Sequence, residues 1–207
     1  MELAGQCRAD GWDAARRLRL ACFLAGALAW LVAEVDPSLT YHGAGMTSLP
    51  AFSPDPLFLR DHLSRPGGPL AYAAAWLSQW FVFPAAGAWV LVAVAGGTAL
   101  AVDAIGRDLA GKTLPGLRYL PAAVLLIADA QYLHFLDWQL GWLLCFAATA
   151  LWLRLPRGRP AAGLLGLVML YYLAGGAMLV AALVLALGDP RLGVLWPAAV
   201  LVPEPRT

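Results

Sequence analysis

Apolar residues in this chain fall into runs bounded by clusters of charge, and several runs reach the roughly 20 residues that a helix needs to cross the hydrocarbon core of a bilayer. Five such runs predict five spans. The first, Leu18–Val35 (LRLACFLAGALAWLVAEV), follows Arg8, Arg16, Arg17 and Arg19 and holds no proline. Its basic front and apolar centre imitate a signal peptide, but no small-x-small cleavage site follows and further spans do, so it reads as an uncleaved first span. From Pro69 to Ile105 the apolar residues run almost unbroken, too long for one crossing and short for two. Pro84 divides that stretch. Before it, PLAYAAAWLSQWFVF carries Tyr72, Trp76, Gln79 and Trp80, the aromatic content of a helix lying at headgroup level. After it, Ala85–Ile105 is long enough to span. Runs over 119–135, 137–155 and Leu164–Leu187 complete the five. Leu192–Val202 is apolar yet about half the length required, which points to a membrane domain continuing past Thr207.

The pattern therefore predicts an all-α fold, a polytopic transmembrane helical bundle of about five spans. A basic inner segment covers 1–17 and the transmembrane domain 18–187, with an outer loop and interfacial aromatic helix over 36–84 and an outer tail over 188–207. Composition agrees: 61% of residues are hydrophobic and 13% charged, against roughly 25% charged in an ordinary soluble domain. A net charge of +1 gives no bulk attraction to nucleic acid. Cys7, Cys22 and Cys145 lie far apart without C-x-x-C spacing, which argues against a disulfide framework or a zinc site. Placing the N-terminus inside puts Arg8, Arg16, Arg17, Arg19, Arg107, Lys112, Arg118, Arg154, Arg157 and Arg159 on the inner side. Only Arg60, Arg65, Arg191 and Arg206 then fall outside. That bias predicts a multi-pass membrane protein with its N-terminus inside and the lipid bilayer as its first partner.

Gly106–Thr113 reads GRDLAGKT, a match to the phosphate-cradling G-x-x-x-x-G-K-T loop. A working loop of that kind feeds a helix whose N-terminus receives the phosphates. Here the motif leaves a span and runs into Leu114–Pro115–Gly116, which breaks any helix starting at Lys112. It reads as a basic inner loop, and no nucleotide is expected at it.

The loop from Glu34 to Leu70 holds most of the outer chemistry: Glu34, Asp36, His42, Asp55, Arg60, Asp61, His62 and Arg65. Within it, Leu57, Phe58, Leu59 and Leu63 predict one or two helical turns on the membrane, capped by Ser53 or Asp55. His42 and His62 lack the spacing of a metal pair, so no metal is assigned. Deeper, ionisable residues in spans are expensive and mark function by default. Asp129, Gln131, Tyr132 and His134 form a polar stripe along the outer half of the third span, which predicts a wet outer vestibule; the alternative is that Asp129 lies near enough to the interface to hydrate or pair locally. Asp103 is expected to be hydrated or paired with Arg107, four residues on. Gly96–Gly97 and Gly175–Gly176 are expected to serve close helix packing.

Two patches of the chain resemble known families. A first span ending near an acidic residue, Asp36, an outer loop, the Pro66–Gly67–Gly68–Pro69–Leu70 step and the aromatic Tyr72 and Trp76 are similar to the N-terminal module of GT-C type membrane glycosyltransferases. That resemblance implies Asp36 as catalytic base or metal ligand; the pattern departs in that Asp36 stands alone rather than in an acidic pair, and that the 207 residues hold neither the family's later spans nor its outer soluble domain. More closely, FLRDHLSRPGGPLAYAAAWLSQWFVFPAAGAW and LYYLAGGAMLVAALVLAL resemble a bacterial multi-span membrane family of unknown function, which implies an architecture and no activity.

Three function classes remain: a non-catalytic membrane subunit or scaffold, which is preferred; a GT-C-like glycosyltransferase or fragment using a lipid-linked sugar at the outer face; and a transporter. If the chain acts on a lipid-linked substrate, Asp36 and Asp129 are the catalytic candidates, with Arg60, Asp61, His62, Arg65, Gln131 and His134 binding substrate. A membrane protein partner is the other expectation, and no cofactor is assigned.

Overall fold

The computed structural model describes residues 2–35, 37, 52–111, 116–130, 136–154, 160–179 and 181–183. Among the described residues all regular structure is helical. Helix α1 (Glu2–Glu34) has 33 residues, so it runs through the basic N-terminal segment as well as the apolar run. Helix α2 (Pro56–Leu63) starts where its sequence says it should: the Asp55 carboxylate accepts the Leu57 N–H at 3.0 Å, and Pro56 fills the first turn. Helix α3 (Gly68–Ser78) continues as a 3-10 turn over Gln79–Val82. Phe83 is then held extended, as a residue before proline must be, and α4 (Pro84–Ala110) begins. Helix α4 has 27 residues and closes on Gly111, whose φ of 64° lets its N–H return to the Arg107 carbonyl. Helices α5 (Leu120–Asp129), α6 (Leu136–Arg154) and α7 (Pro160–Ala174) follow, α7 passing into a 3-10 turn at Gly175–Ala177.

Two of these helices, α4 over Pro84–Leu109 and α6, are long and apolar enough to cross a membrane. The expected bundle of five spans is not confirmed: among the described residues no other helix qualifies, α1 included, although it carries Leu18–Glu34 as helix. Helix α5 supplies only 10 residues of 119–135, about 15 Å at the helical rise, and 131–135 lie outside the described residues. Helix α7 covers the start of Leu164–Leu187, but the backbone leaves the α-helix at Gly175, whose φ is 58°. Gly175 does pack closely, through a left-handed turn that an L side chain resists, a Cβ there standing 3.4 Å from the Cα of Gly67, whereas a Cβ on Gly176 would meet nothing within 4 Å. Gly96 and Gly97 do serve packing, since an added Cβ would meet Leu24 at 3.1 Å and Leu143 at 2.9 Å.

Helix α4 is the hub, with α1, α5 and α6 packed around it. The main core gathers Leu31 and Val35 of α1 and its end, Ala74 and Phe81 of the α3 segment, and Ala88, Leu91, Val92 and Ala95 of α4. Ala122, Leu126 and Leu136 complete it. Helices α4 and α6 run in the same direction, because Gly97 meets Leu143 and, eleven residues on in each, Asp108 meets Arg154. Helix α5 runs the opposite way, its foot at Arg118 lying against Asp103 near the end of α4. A second core, of Cys145, Leu170, Ala174, Met178 and Ala181, joins α6 to the kinked α7.

Candidate functional site

Polar chemistry is concentrated in three places. The first is the corner between α2 and α3, built by Arg65–Pro66–Gly67–Gly68. The Gly68 N–H donates to the Arg65 carbonyl at 3.0 Å, and a Cβ on Gly68 would fall 1.5 Å from the His62 carbonyl oxygen. Only glycine fits. Gly67 has φ 77° and donates its N–H to the Tyr172 carbonyl at 2.8 Å, while the Tyr172 hydroxyl donates to the Leu63 carbonyl at 2.7 Å. A Cβ built on Gly67 would stand 3.4 Å from the Cα of Gly175. Two left-handed glycines thus face one another, backbone against backbone, and clasp the corner onto the kink of α7. The two patches that resemble one family in sequence meet here in space.

His62 sits under this corner and is buried, with Nδ1 donating to the Phe58 carbonyl at 2.8 Å. Its ring lies 4.2 Å from Phe58 and 6.0 Å from Tyr72, and Phe52 packs on both of those aromatics. Arg60, Asp61 and Arg65 are exposed around it. Of the loop's predicted substrate residues, then, three face outward and the histidine is taken into an aromatic cluster.

The second place is Asp129, at the last residue of α5. It is buried, and its Oδ1 accepts the side-chain amide of Gln139, itself buried in α6. Oδ2 has no hydrogen-bond partner among the described residues. Arg118 and Asp129 are eleven residues apart, roughly 16 Å along the axis, whereas Asp103 and Pro84 on α4 are separated by about 29 Å. Asp129 therefore stands near the half-height of α4 rather than at its Pro84 end. Asp129 is buried and paired with Gln139, a partner ten residues on in the next helix that helical spacing does not point to. The signal of Gln139 was a lone amide in the apolar stretch LDWQLGW. Gln131 and His134, like Asp36, lie outside the described residues.

The third place is Asp103, whose carboxylate is almost wholly enclosed. Arg16 of α1 donates to Oδ2, Arg107 approaches within 3.6 Å, and Arg118 stands 3.7 Å from Oδ1. Arg118 is itself only 5% exposed, lies over the Tyr119 ring and donates to the Arg16 carbonyl at 3.3 Å. The expected Arg107 pairing is present, and Arg16 and Arg118 join it, so that three guanidiniums surround a carboxylate only 1% exposed. Beside it, Asp108 and Arg154 pair at 3.1 Å.

The GRDLAGKT motif falls at this end. Gly106–Ala110 form the last turns of α4, and Gly111 caps them. Carbonyls and the negative end of a helix dipole, not N–H groups, point from such a terminus, which opposes phosphate binding. Lys112 and Thr113 lie outside the described residues. Among the described residues no group of three or more His, Cys, Asp or Glu is placed to hold a metal ion.

No curated protein and no solved structure matches the chain. One family model does, over residues 14–200, which takes in both glycine patches of the clasp, Asp129 with Gln139, and the Asp103 cluster: the chain belongs to a family of unknown function (DUF6057).

Proposed function

We propose that the chain is a multi-pass protein of the bacterial inner membrane, N-terminus inside, that serves as a non-catalytic subunit or scaffold. The observation carrying this reading is how side chains are distributed around the helices. Leu18 and Val32 of α1, Trp89 and Leu100 of α4, Val124 and Ile127 of α5, Leu151 of α6 and Leu165, Val168 and Met169 of α7 are all at least half exposed. Thr98, Asp103, Asp129, Gln139 and Thr149 of the same helices are buried. Water would penalise so extensive an apolar exterior, whereas lipid tails match it. Hydrocarbon also requires polar groups to find partners inside, as Thr98 and Thr149 do on the carbonyls of Val94 and Cys145. Arg16, Arg107, Arg118 and Arg154 gather at one end of the bundle, which suits an inner face.

The scaffold reading draws support from the engagement of the interior ionisable groups within the chain. Asp103 serves its arginines, Asp129 serves Gln139, and His62 serves the Phe58 carbonyl. The exposed Arg60 and Asp61 of α2, with Arg65 of the corner after it, are left for a membrane protein partner. Single cysteines placed at Ser64 and Lys112 in a cysteine-free background test the topology. Ser64 should label with an impermeant thiol reagent from outside and Lys112 only after permeabilisation; labelling of both from one side refutes it.

The glycosyltransferase-like alternative draws on one feature, the glycine corner that feeds the aromatic helix α3. It depends on Asp36. In cells, Asp36→Asn should leave lipid-linked sugar pools unchanged if the chain is a scaffold; a change in those pools, with the protein still in the membrane, favours the enzyme.

A further inference from the structure

An apolar groove of about 380 Å³ runs between α1 and α5, lined by Cys22, Phe23, Gly26, Trp30, Leu126 and Ile127 among others. A Cβ added to Gly26 would meet nothing within 4 Å. On α1 the residues Arg19, Cys22, Gly26 and Trp30 follow one another at spacings of three and four, so all four lie on one face of the helix and Arg19 stands at the groove's inner mouth. Arg19 is exposed, with Nε donating to the Ala15 carbonyl at 3.2 Å. On the α5 side the Phe23 ring packs 4.7 Å from Tyr119, and Arg118 covers that tyrosine.

Among the described residues no carboxylate pairs with Arg19, and one turn before it Arg16 reaches the Asp103 carboxylate, which Arg107 and Arg118 also approach. Arg118 Nε is buried without a hydrogen-bond partner among the described residues. An apolar trough with guanidiniums beyond one end fits a molecule with a hydrocarbon tail and an anionic head. Its dimensions agree: from Cys22 to Trp30 is roughly 12 Å along the helix, and one leaflet of hydrocarbon is about 15 Å deep.

We infer that this groove binds an anionic phospholipid of the inner leaflet, with one acyl chain along Cys22, Gly26 and Trp30 and the phosphate at Arg19 and Arg16. The inference rests on the membrane reading above. Basic pockets between helices on the cytoplasmic side are suited to such headgroups, since each nearby Lys or Arg favours an anionic lipid by electrostatics that zwitterionic lipid does not share.

The test is thermal unfolding of the full chain in a non-ionic detergent, with phosphatidylglycerol, with phosphatidylcholine of the same acyl chains, or with inorganic phosphate. At about a hundredfold its dissociation constant, phosphatidylglycerol should raise the midpoint by about 5 °C or more, and the other two by clearly less. Arg19→Gln should weaken the phosphatidylglycerol effect about fivefold in apparent affinity. Gly26→Leu should abolish it by filling the groove. Should that variant fail to fold, Ile127→Trp fills the groove from the opposite wall, where the side chain is already exposed. Equal stabilisation by both lipids, an equal effect of inorganic phosphate, or a full phosphatidylglycerol effect in the groove-filled variant overturns the site. Carbonate washing of wild-type membranes separates the two readings. Protein retained in the membrane without a phosphatidylglycerol preference removes the lipid site alone, while protein released by the wash removes both.

Discussion

Replacing Gly68 by alanine adds one methyl group and should be among the most damaging small changes in this protein. The new Cβ would lie 1.5 Å from the His62 carbonyl oxygen and 2.6 Å from its carbon. Both are backbone atoms, so no side-chain rotation relieves the clash and the α2–α3 corner must open. Opening it puts at risk the Gly68-to-Arg65 and Gly67-to-Tyr172 hydrogen bonds, each worth about 1 kcal/mol. It also strains a backbone whose neighbour is already left-handed, at a further cost of about 1–3 kcal/mol. A total loss of about 3 kcal/mol or more follows, which for a chain of this length lowers the midpoint by roughly 6–12 °C. Gly176→Ala is the control, because a Cβ there meets nothing within 4 Å; its midpoint should move by no more than about 2 °C. Thermal unfolding in detergent, followed by intrinsic tryptophan fluorescence, reads both. A Gly68→Ala midpoint within about 2 °C of wild type, or a Gly176→Ala loss as large as that of Gly68→Ala, refutes the reasoning.

Other changes separate the remaining clusters. Gly67→Ala should cost about 1–2 kcal/mol, the penalty of a left-handed L residue, and so fall between Gly68→Ala and Gly176→Ala in the same assay. Gln139→Leu leaves the buried Asp129 carboxylate without its donor and should destabilise by about 1–3 kcal/mol, whereas the double change Asp129→Leu with Gln139→Leu should recover most of that loss. A double variant no better than the single would show that the pair is not coupled. Asp103→Asn strands the buried Arg118 and should cost about 3 kcal/mol; adding Arg118→Met should restore part of it in a double-mutant cycle.

Local structure was legible wherever a residue acts on its own backbone. Asp55 and Pro56 announce the start of α2, and Pro84 the start of α4, because caps and prolines work within a few residues. The contacts that shape the candidate sites are of another kind. Arg118 and Asp103 are ordinary charges in sequence, and only the antiparallel return of α5 brings them together. Gln139 lies ten residues beyond Asp129, across a turn that no helical periodicity spans. Gly67 and Gly175 are more than a hundred residues apart and touch through backbone atoms, so they carry no complementary side chains from which a pairing could be read. The glycine-rich phrases marked both ends of the clasp without stating that they are one feature. The GRDLAGKT segment shows the converse: its residues match a motif, but the helix ends where the motif needs one to begin.

Asp103 also bears on how the protein is made. Arg16, its donor, precedes it by 87 residues, which at bacterial-to-eukaryotic elongation rates is roughly 4–17 s of synthesis. Arg107 follows it by one turn, and Arg118 comes last. When the carboxylate leaves the ribosome, an arginine on the first helix has already been made, and a second emerges within about a second. Asp103 therefore always has a cationic partner already made before it, and the third arginine, synthesised last, ties the foot of α5 to the same carboxylate.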